Sequence, residues 1–344
     1  MGEPLIMKTQ YKYIFGPVPS RRLGNSLGVD IVPLKTCTFN CIYCQLGTSE
    51  HTTCDRKVFF PLKDIQEELK RKLSEIEPPD YITFSGSGEP TLHSGIGELI
   101  SWIKGKTSIP VAVLTNGSML SKPRIRQSLL EADLVVPSLD AGTEETFHYV
   151  NRPNTAISFQ EYTDGLVRFA EEFSNQLWLE VFLIGGITGI ENEVKRICHL
   201  VEKMNPDKVH LNTVARPPAE DYAFSVSIDQ LNKFARLFSC PVEIVADAER
   251  IKAHAEQGSE ADIITLLLRR PCSVTDIANG LGIHPTEIIK YLETVKETLL
   301  RVATNIAKGD LNYGTYSLRK FNGLVRKFYN LMVDGYFLPN SPTL

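Results

Sequence analysis

Short apolar runs rich in β-branched residues recur along the chain between longer amphipathic segments. The runs that read as strands are LGVDIVP (27–33), YITFSG (81–86), VAVLTN (111–116), LVVPSL (134–139), LWLEVFLI (177–184), KVHLNT (208–213) and VEIVA (242–246). Between them, segments such as 62–76, 191–204 and 227–238 carry apolar residues at helical spacing, and Asp229 stands where an early-turn acid favours a helix start. Near-continuous apolar strands alternating with helices predict a parallel sheet covered on both faces. About six such units are too many for a small sheet, so the expected fold is α/β, a partial (β/α)6-type TIM barrel. Chemistry in such barrels sits at the C-terminal strand ends. Glu89, Asn116, Ser138 and Asp140 all fall at such ends.

Past residue 250 the pattern changes. Residues 259–300 read as helix, turn, short helix, turn, helix, broken at RRPCS and GLGIHPTE, where Gly280, Gly282 and Pro285 interrupt the periodicity. That spacing predicts a small C-terminal helix-turn-helix or winged-helix-like domain over 251–344, after a barrel with an N-terminal extension over 1–250. The segment offered as a recognition helix sets Glu287, Glu293 and Glu297 against Lys290 and Lys296. A DNA reader needs cations for phosphates and Arg, Asn or Gln for base edges, so specific DNA binding is not expected. The tail, with Arg319, Lys320, Arg326 and Lys327 among Tyr316, Phe321 and Phe328, suits RNA or an acidic partner better.

Composition narrows the class further. The 344 residues are 42% hydrophobic and 23% charged, with a formal net charge of −4, which excludes a chain-wide nucleic-acid or anionic-membrane surface. No apolar run is long enough to span a bilayer, and the N-terminus lacks a basic start followed by an apolar core. A cytoplasmic protein without membrane partners is expected. Of seven cysteines, Cys37, Cys41 and Cys44 fall within one loop just after a strand, in the spacing C-x3-C-x2-C. Odd and clustered cysteines favour metal binding over disulfides. Three thiolates on one short loop suit three irons of a four-iron cluster, with the fourth iron left open. Zinc is the rival, but it asks for four ligands, and Cys54 reaches the set only by folding the loop back. Cys198, Cys240 and Cys272 read as isolated small hydrophobes.

CTFNCIYC, with Tyr43 just before the third cysteine, resembles the signature of the radical S-adenosylmethionine superfamily. The resemblance covers about residues 11 to 245. It implies a [4Fe-4S] cluster on Cys37, Cys41 and Cys44 whose open iron takes S-adenosylmethionine, reductive cleavage to a 5′-deoxyadenosyl radical, and hydrogen abstraction from a substrate. It also implies an electron donor such as flavodoxin or ferredoxin. FSGSGEPTL (84–92) is similar to the family's glycine-glycine-glutamate motif, with Ser87 in place of one glycine. In that role Glu89 accepts from the methionine ammonium, while Gly86 and Gly88 permit close backbone approach. The resemblance likewise makes Tyr43, Asn116, Ser138 and Asp140 cofactor-binding candidates, and Arg152 a candidate for the methionine carboxylate. Read from the residues alone, GSGEPT is a strand-to-helix turn, Asp140 a cap for a helix over 143–149, and Arg152 a surface residue.

LIGGITGIENE (183–193) resembles the adenine-packing segment of the family, with its acid shifted to Glu191 or Glu193. Residues 15–33 and 210–224 resemble a subgroup that includes relatives of 4-demethylwyosine synthase, a tRNA-modifying enzyme. Arg21 and Arg22 are candidates for a ligand carboxylate or substrate phosphate, or else pair with helix acids outside the barrel, and Arg216 faces the same choice. His93 is read as a helix-start polar residue and His284 as a turn residue. The substrate class is left as RNA, peptide or small molecule. The alternative function is an iron–sulfur redox sensor that regulates transcription through the helix-turn-helix.

Overall fold

The computed structural model describes residues 11–20, 22–215 and 218–245, together with Ile263, Val274, Ile288, Lys290, Tyr291 and Leu292. The helix-turn-helix expected over 259–300 lies outside the described residues but for those isolated positions, as do Arg21, Arg216, Cys272 and His284. Tyr11–Ile251 forms one compact unit.

The sheet has eight strands in chain order: β1 Ile14–Ser20, β2 Gly24–Val29, β3 Tyr81–Phe84, β4 Val111–Thr115, β5 Leu134–Pro137, β6 Gln176–Leu183, β7 Lys208–Thr213 and β8 Val242–Ile244. β1 pairs antiparallel with β2, and every later neighbour is parallel. The crossovers carry α1 Leu62–Glu75, α2 Ile96–Lys104, α3 Pro123–Leu129, α4 Glu144–Val150, α5 Phe159–Glu172, α6 Glu191–Met204 and α7 Ile228–Ala235. Sequential strand order with a helix in each crossover is the half-wound barrel that the hydrophobic pattern predicts. The expected strands are all present, with ends shifted by a few residues. Only β1 was not anticipated as a strand. It carries Pro17 and Pro19 and a register shift between Phe15 and Val18, features an edge strand tolerates and a central one does not.

The helices start where side chains satisfy their first free amides. Thr143, Ser158 and Ser227 accept from Thr146 N, Glu161 N and Gln230 N at the heads of α4, α5 and α7. Thr143, not Asp140, therefore caps α4, which removes the capping role open to Asp140 from the sequence. On α6, Val194, Ile197, Cys198, Val201 and Met204 fall on one buried stripe, and Asn205 ends the helix at φ 46°. Each such side chain contributes about 1.5–3 kcal/mol on burial.

Strand β6 shows how the sheet divides its two faces. Leu177, Leu179, Val181 and Leu183 pack outward in the main core under the helices. Trp178 and Phe182 point the other way, into two small interior clusters. The sheet is strongly curved: Arg22, at the β1–β2 turn, forms an ion pair with Glu180 on β6. A flat sheet would hold strands four steps apart at roughly 19 Å. At the N-terminal ends of the strands Leu23, Ala112, Leu134 and Val136 plug the interior, with Tyr81, Leu114 and Trp178 against them. The opposite ends are left to the cysteine loop. No helix among the described residues is long and apolar enough to cross a membrane.

Candidate functional site

The chain leaves β2 and folds back over the C-terminal strand ends as the cysteine loop. Its backbone is tied down from several sides. Lys35 N donates to Ser87 O at 2.6 Å, Glu89 N to Thr36 O at 2.9 Å, Thr53 N to Cys37 O at 2.9 Å and Asn154 N to Thr38 O at 2.8 Å. Asn40 N and Ile42 N donate to Asn151 O and Val150 O at 3.0 and 2.9 Å. Ile42 is buried with Val150, Phe182, Ile184 and Ala223, so apolar contact seats the loop on the strand ends.

Cys37, Cys41 and Cys44 come together there, and each thiol is raised above its ordinary value. Burial pushes Cys37 up to about 12, with Glu89 adding to it, while the Phe39 and Asn116 N–H groups act the other way. Cys41 is raised well above its usual value by burial, then by Asp140 and its two companion cysteines. Cys44 is raised by burial against the opposing charge of Lys35. Nearby N–H groups point at sulfur: Asn116 Nδ2 to Cys37 Sγ at 3.4 Å, Asn151 Nδ2 to Cys41 Sγ at 3.5 Å and Phe39 N to Cys37 Sγ at 3.5 Å.

Glu89 is buried and accepts four hydrogen bonds. Its Oε1 takes Thr91 N at 3.0 Å, Thr91 Oγ1 at 2.5 Å and Thr115 Oγ1 at 2.6 Å, while Oε2 takes Asn116 N at 2.7 Å. Burial nonetheless outweighs these bonds and raises its pKa. Glu89 thus fixes the backbone of Asn116, whose side-chain amide reaches Cys37. Gly86 and Gly88 are required by close neighbours. A Cβ on Gly88 would meet Thr36 O at 2.1 Å, and one on Gly86, at φ +141°, would meet the Asp30 carboxylate at 2.5 Å. Ser87, the residue that departs from the family pattern, donates to the same Asp30 through its amide at 3.1 Å and its hydroxyl at 2.6 Å.

Asp140 is the second buried acid. It accepts from the Tyr43 hydroxyl, from Asn151 Nδ2 at 2.8 Å and from Phe182 N at 3.1 Å. Burial raises it to about 6, with Glu180 adding to the shift. The Tyr43 ring stacks on Phe182 with centroids 4.0 Å apart, so Asp140 and Phe182 together fix the aromatic residue of the cysteine motif. Ser138 is half-buried beside this group, its carbonyl bonded by Tyr162 and its amide donating to Thr115 O at 3.1 Å. Arg152, at φ 44°, turns away to Glu220 and to the Tyr222 hydroxyl at 2.7 Å.

Other candidates fall elsewhere. Arg22, left open between a ligand anion and a helix acid on the exterior, pairs instead with Glu180, a strand acid inside the barrel. Glu180 also takes Asn212 Nδ2 at 2.9 Å. Glu193 is buried and accepts from Gly142 N at 2.7 Å, whereas Glu191 pairs with Lys195 on the surface. Ile187 packs in the same interior cluster as Tyr43, placing the glycine- and isoleucine-containing segment beside the loop. His93 is fully buried, bonded to Phe60 O at 3.1 Å and accepting from Gly95 N at 3.1 Å, and so braces residues near α1. Cys54 lies near Lys122, and the charges acting on it include none of the three clustered cysteines. Cys198 and Cys240 keep their thiols raised by burial.

The residue that sequence reasoning missed is Asn151. It stands next to Arg152, yet nothing in composition or spacing marks it. Its amide bonds both Cys41 and Asp140, while its Oδ1 is buried without a hydrogen-bond partner.

Among the described residues no group of three or more His, Cys, Asp or Glu side chains is set to hold a single metal ion. An iron–sulfur cubane places each thiolate on a different iron, so it asks for a wider spread than one ion does. The donor set fits such a cluster: three thiols on one loop, N–H groups on two of the sulfurs, and a buried carbonyl oxygen with capacity to spare. Iron bound there would supply the positive charge that lets these thiols ionise.

The profile of the radical SAM superfamily matches residues 31–201. A profile described as the ribonucleotide reductase all-alpha domain matches residues 286–344, almost wholly outside the described residues. The chain is 39% identical over 322 residues to a protein named GTPase Obg from Brachyspira hyodysenteriae, covering 90% of this chain but only 47% of that protein. It is 32% identical to a UPF0026 protein of Helicobacter pylori, covering 84% of this chain and 93% of that protein. A weaker likeness, 29% over 141 residues, is to the S-adenosyl-L-methionine-dependent tRNA 4-demethylwyosine synthase of Pyrococcus abyssi, covering 35% and 41% of the two chains. Among solved structures, a radical SAM methyltransferase from Sphaerobacter thermophilus superposes with TM-score 0.50 at 16% identity, covering 64% of this chain and 65% of that one.

Proposed function

This chain belongs to the radical SAM superfamily and, within it, to the family of the UPF0026 proteins, and from that premise we propose that it reductively cleaves S-adenosylmethionine and abstracts hydrogen from a substrate. Cys37, Cys41 and Cys44 would hold a [4Fe-4S] cluster. With S-adenosylmethionine bound, that cluster supplies a 5′-deoxyadenosyl radical for hydrogen abstraction. The observation that carries the reading is that Cys37, Cys41 and Cys44 lie half-buried on one loop at the strand ends, with the Asn116 and Asn151 side-chain amides aimed at two of their sulfurs.

The protein's own residues do the placing. Asn116 and Asn151 direct side-chain N–H groups at sulfur, while Glu89 holds the Asn116 backbone amide and Asp140 the Asn151 side chain. We assign the methionine ammonium to the unshared lone pair of Glu89 Oε2. The ribose hydroxyls go to Asn116, Ser138 and Asp140, and the methionine carboxylate to Arg152, which would have to share it with Glu220. Tyr43, stacked on Phe182, screens the loop from water. RNA and peptide are the substrate classes we put forward, and RNA is favoured because the Pyrococcus abyssi relative is named for tRNA. We place the reaction in the cytoplasm, where clustered thiols stay reduced.

The test is anaerobic reconstitution followed by dithionite and S-adenosylmethionine. We expect bound iron and 5′-deoxyadenosine from the wild type, loss of both in Cys41→Ala, and retention of both in Cys54→Ala. A wild type that makes no 5′-deoxyadenosine, alongside a Cys41→Ala variant that keeps its iron, rejects the assignment.

A further inference from the structure

Asn151 ends α4 at 1% exposure, and its backbone is held on both sides. Asn151 N donates to Phe147 O at 2.9 Å within the helix, and Asn151 O accepts from Asn40 N at 3.0 Å in the cysteine loop. Its side-chain amide sits between a carboxylate and a sulfur. Nδ2 lies 2.8 Å from Asp140 Oδ2 and 3.5 Å from Cys41 Sγ, and the charge of Asp140 acts on Cys41 as well. Asp140 fixes which way the amide points. A carboxylate accepts and does not donate, so the nitrogen faces it and the oxygen is the end left over. That oxygen, Oδ1, is buried with no hydrogen-bond partner.

Asn116, which serves Cys37, shows what is unusual here. Its Nδ2 lies 2.8 Å from Thr38 Oγ1 and 3.4 Å from Cys37 Sγ, and its Oδ1 accepts from Ser118 N at 3.0 Å. Both ends of that amide are met by the protein, so packing of the loop accounts for it. At Asn151 only the N–H end is met. A buried acceptor left unmet costs its desolvation, and native proteins keep such a group where it has a task besides stability. A leucine would repeat the branched outline without that cost, but it would put no N–H on sulfur.

We propose that Asn151 sets the reduction potential of the cysteine site, its Nδ2–H group favouring the added electron at the Cys41 sulfur against the Asp140 carboxylate beside it. The proposal rests on the iron–sulfur reading above. On reduction, one electron passes from an external one-electron reductant, which is oxidised, to the cysteine-held cluster. No atom is transferred. Part of the added charge falls on sulfur, where an N–H dipole stabilises it and a neighbouring carboxylate destabilises it. Hydrogen bonds to the sulfurs and nearby charge are two levers a protein has on such a potential. Both meet at Asn151, since the amide that faces Cys41 is fixed in place by the acid that opposes it. Asp140 is in turn held by three donors, from Tyr43, Asn151 and Phe182.

The experiment is a redox titration of the reconstituted full-length protein followed by electron paramagnetic resonance, with dithionite and mediators and without S-adenosylmethionine. Asn151→Leu should make reduction about tenfold less favourable, a midpoint about 59 mV more negative for one electron. Asp140→Asn removes the opposing charge and should move the midpoint the other way. Both variants should bind iron as the wild type does. Asn151→Ala, which also lacks the N–H, should shift in the same direction as Asn151→Leu. A merely structural role predicts no such opposition, because loosening the loop would move the Asn151 and Asp140 variants alike. An unchanged midpoint in Asn151→Leu, or a shift of one sign in both Asn151→Leu and Asp140→Asn, overturns the proposal. Loss of bound iron in both Asn151 variants overturns it too, since the residue would then serve assembly. A wild type that takes up no reducible cluster would instead reject the underlying functional reading.

Discussion

At the lower end of the barrel, Leu23, Ala112, Leu134 and Val136 close the interior by apolar contact, whereas at the upper end Glu89 takes four hydrogen bonds and Asp140 three. The two ends answer to different physics. Apolar contacts are non-directional, so volume matters more than identity. A buried carboxylate needs each donor in place, because any unmet bond costs its full desolvation. The lower plug thus serves stability, while the upper end spends stability to hold polar atoms where thiols converge.

That contrast is open to direct attack. The largest effect should come from Leu134→Ala, which empties part of the plug and should cost about 2–5 kcal/mol in urea unfolding of the metal-free protein. Its bound iron after reconstitution should equal wild type. Iron lost in proportion to stability would mean that the two ends are not separable. Thr115→Val reverses the pattern by removing one donor from Glu89 Oε1. We expect about 1–2 kcal/mol of lost stability, together with weaker S-adenosylmethionine binding in calorimetry. Unchanged binding would show that the Glu89 network is structural only.

How much of this was legible beforehand depends on the range of the signal. Strand and helix positions came from periodicity, a local property, and the cysteine loop from spacing on a single segment. The β1 edge escaped because Pro17 and Pro19 argue against a strand until it is known to lie at an edge. Arg22 with Glu180, and Asn151 with Cys41, join residues 158 and 110 positions apart, and nothing local to either partner announces the other. The sequence marked Glu89 and Asp140 as polar groups for a ligand. Their first duties proved to be to the protein, since Glu89 holds the backbone of Asn116 and Asp140 the side chain of Asn151, the two residues whose side-chain amides face sulfur.

The smallest expected effect is in pH dependence, where the two ends should slope in opposite directions. His210 lies against Trp178 of the plug, fully buried, with neither ring nitrogen hydrogen-bonded. Burial lowers it to about 3, helped by Arg22 and Lys208 and outweighing the Glu243 carboxylate at 3.6 Å. Between its ordinary value and about 3 the unfolded chain binds a proton the folded chain refuses, so this group removes stability as pH falls through that window. Asp140, raised to about 6, does the reverse: the folded chain takes the proton first, and stability falls as pH rises from about 4 to about 6. Chemical denaturation across that interval should show His210→Leu gaining relative stability toward acid and Asp140→Asn losing its decline toward neutrality. Identical slopes in the two variants would show that neither group governs its end.

The stack of Tyr43 on Phe182 has a consequence for the order in which the site is made. Cys44 leaves the ribosome well before Phe182 does, on the order of ten seconds at ordinary elongation rates. Over that interval the three thiols have neither the aromatic floor beneath them nor Asn151 beside them. They are nascent, wet and open to oxidants, and any iron delivered then meets a loose peptide. A cluster held by these thiols would therefore be loaded only once the sixth strand has emerged.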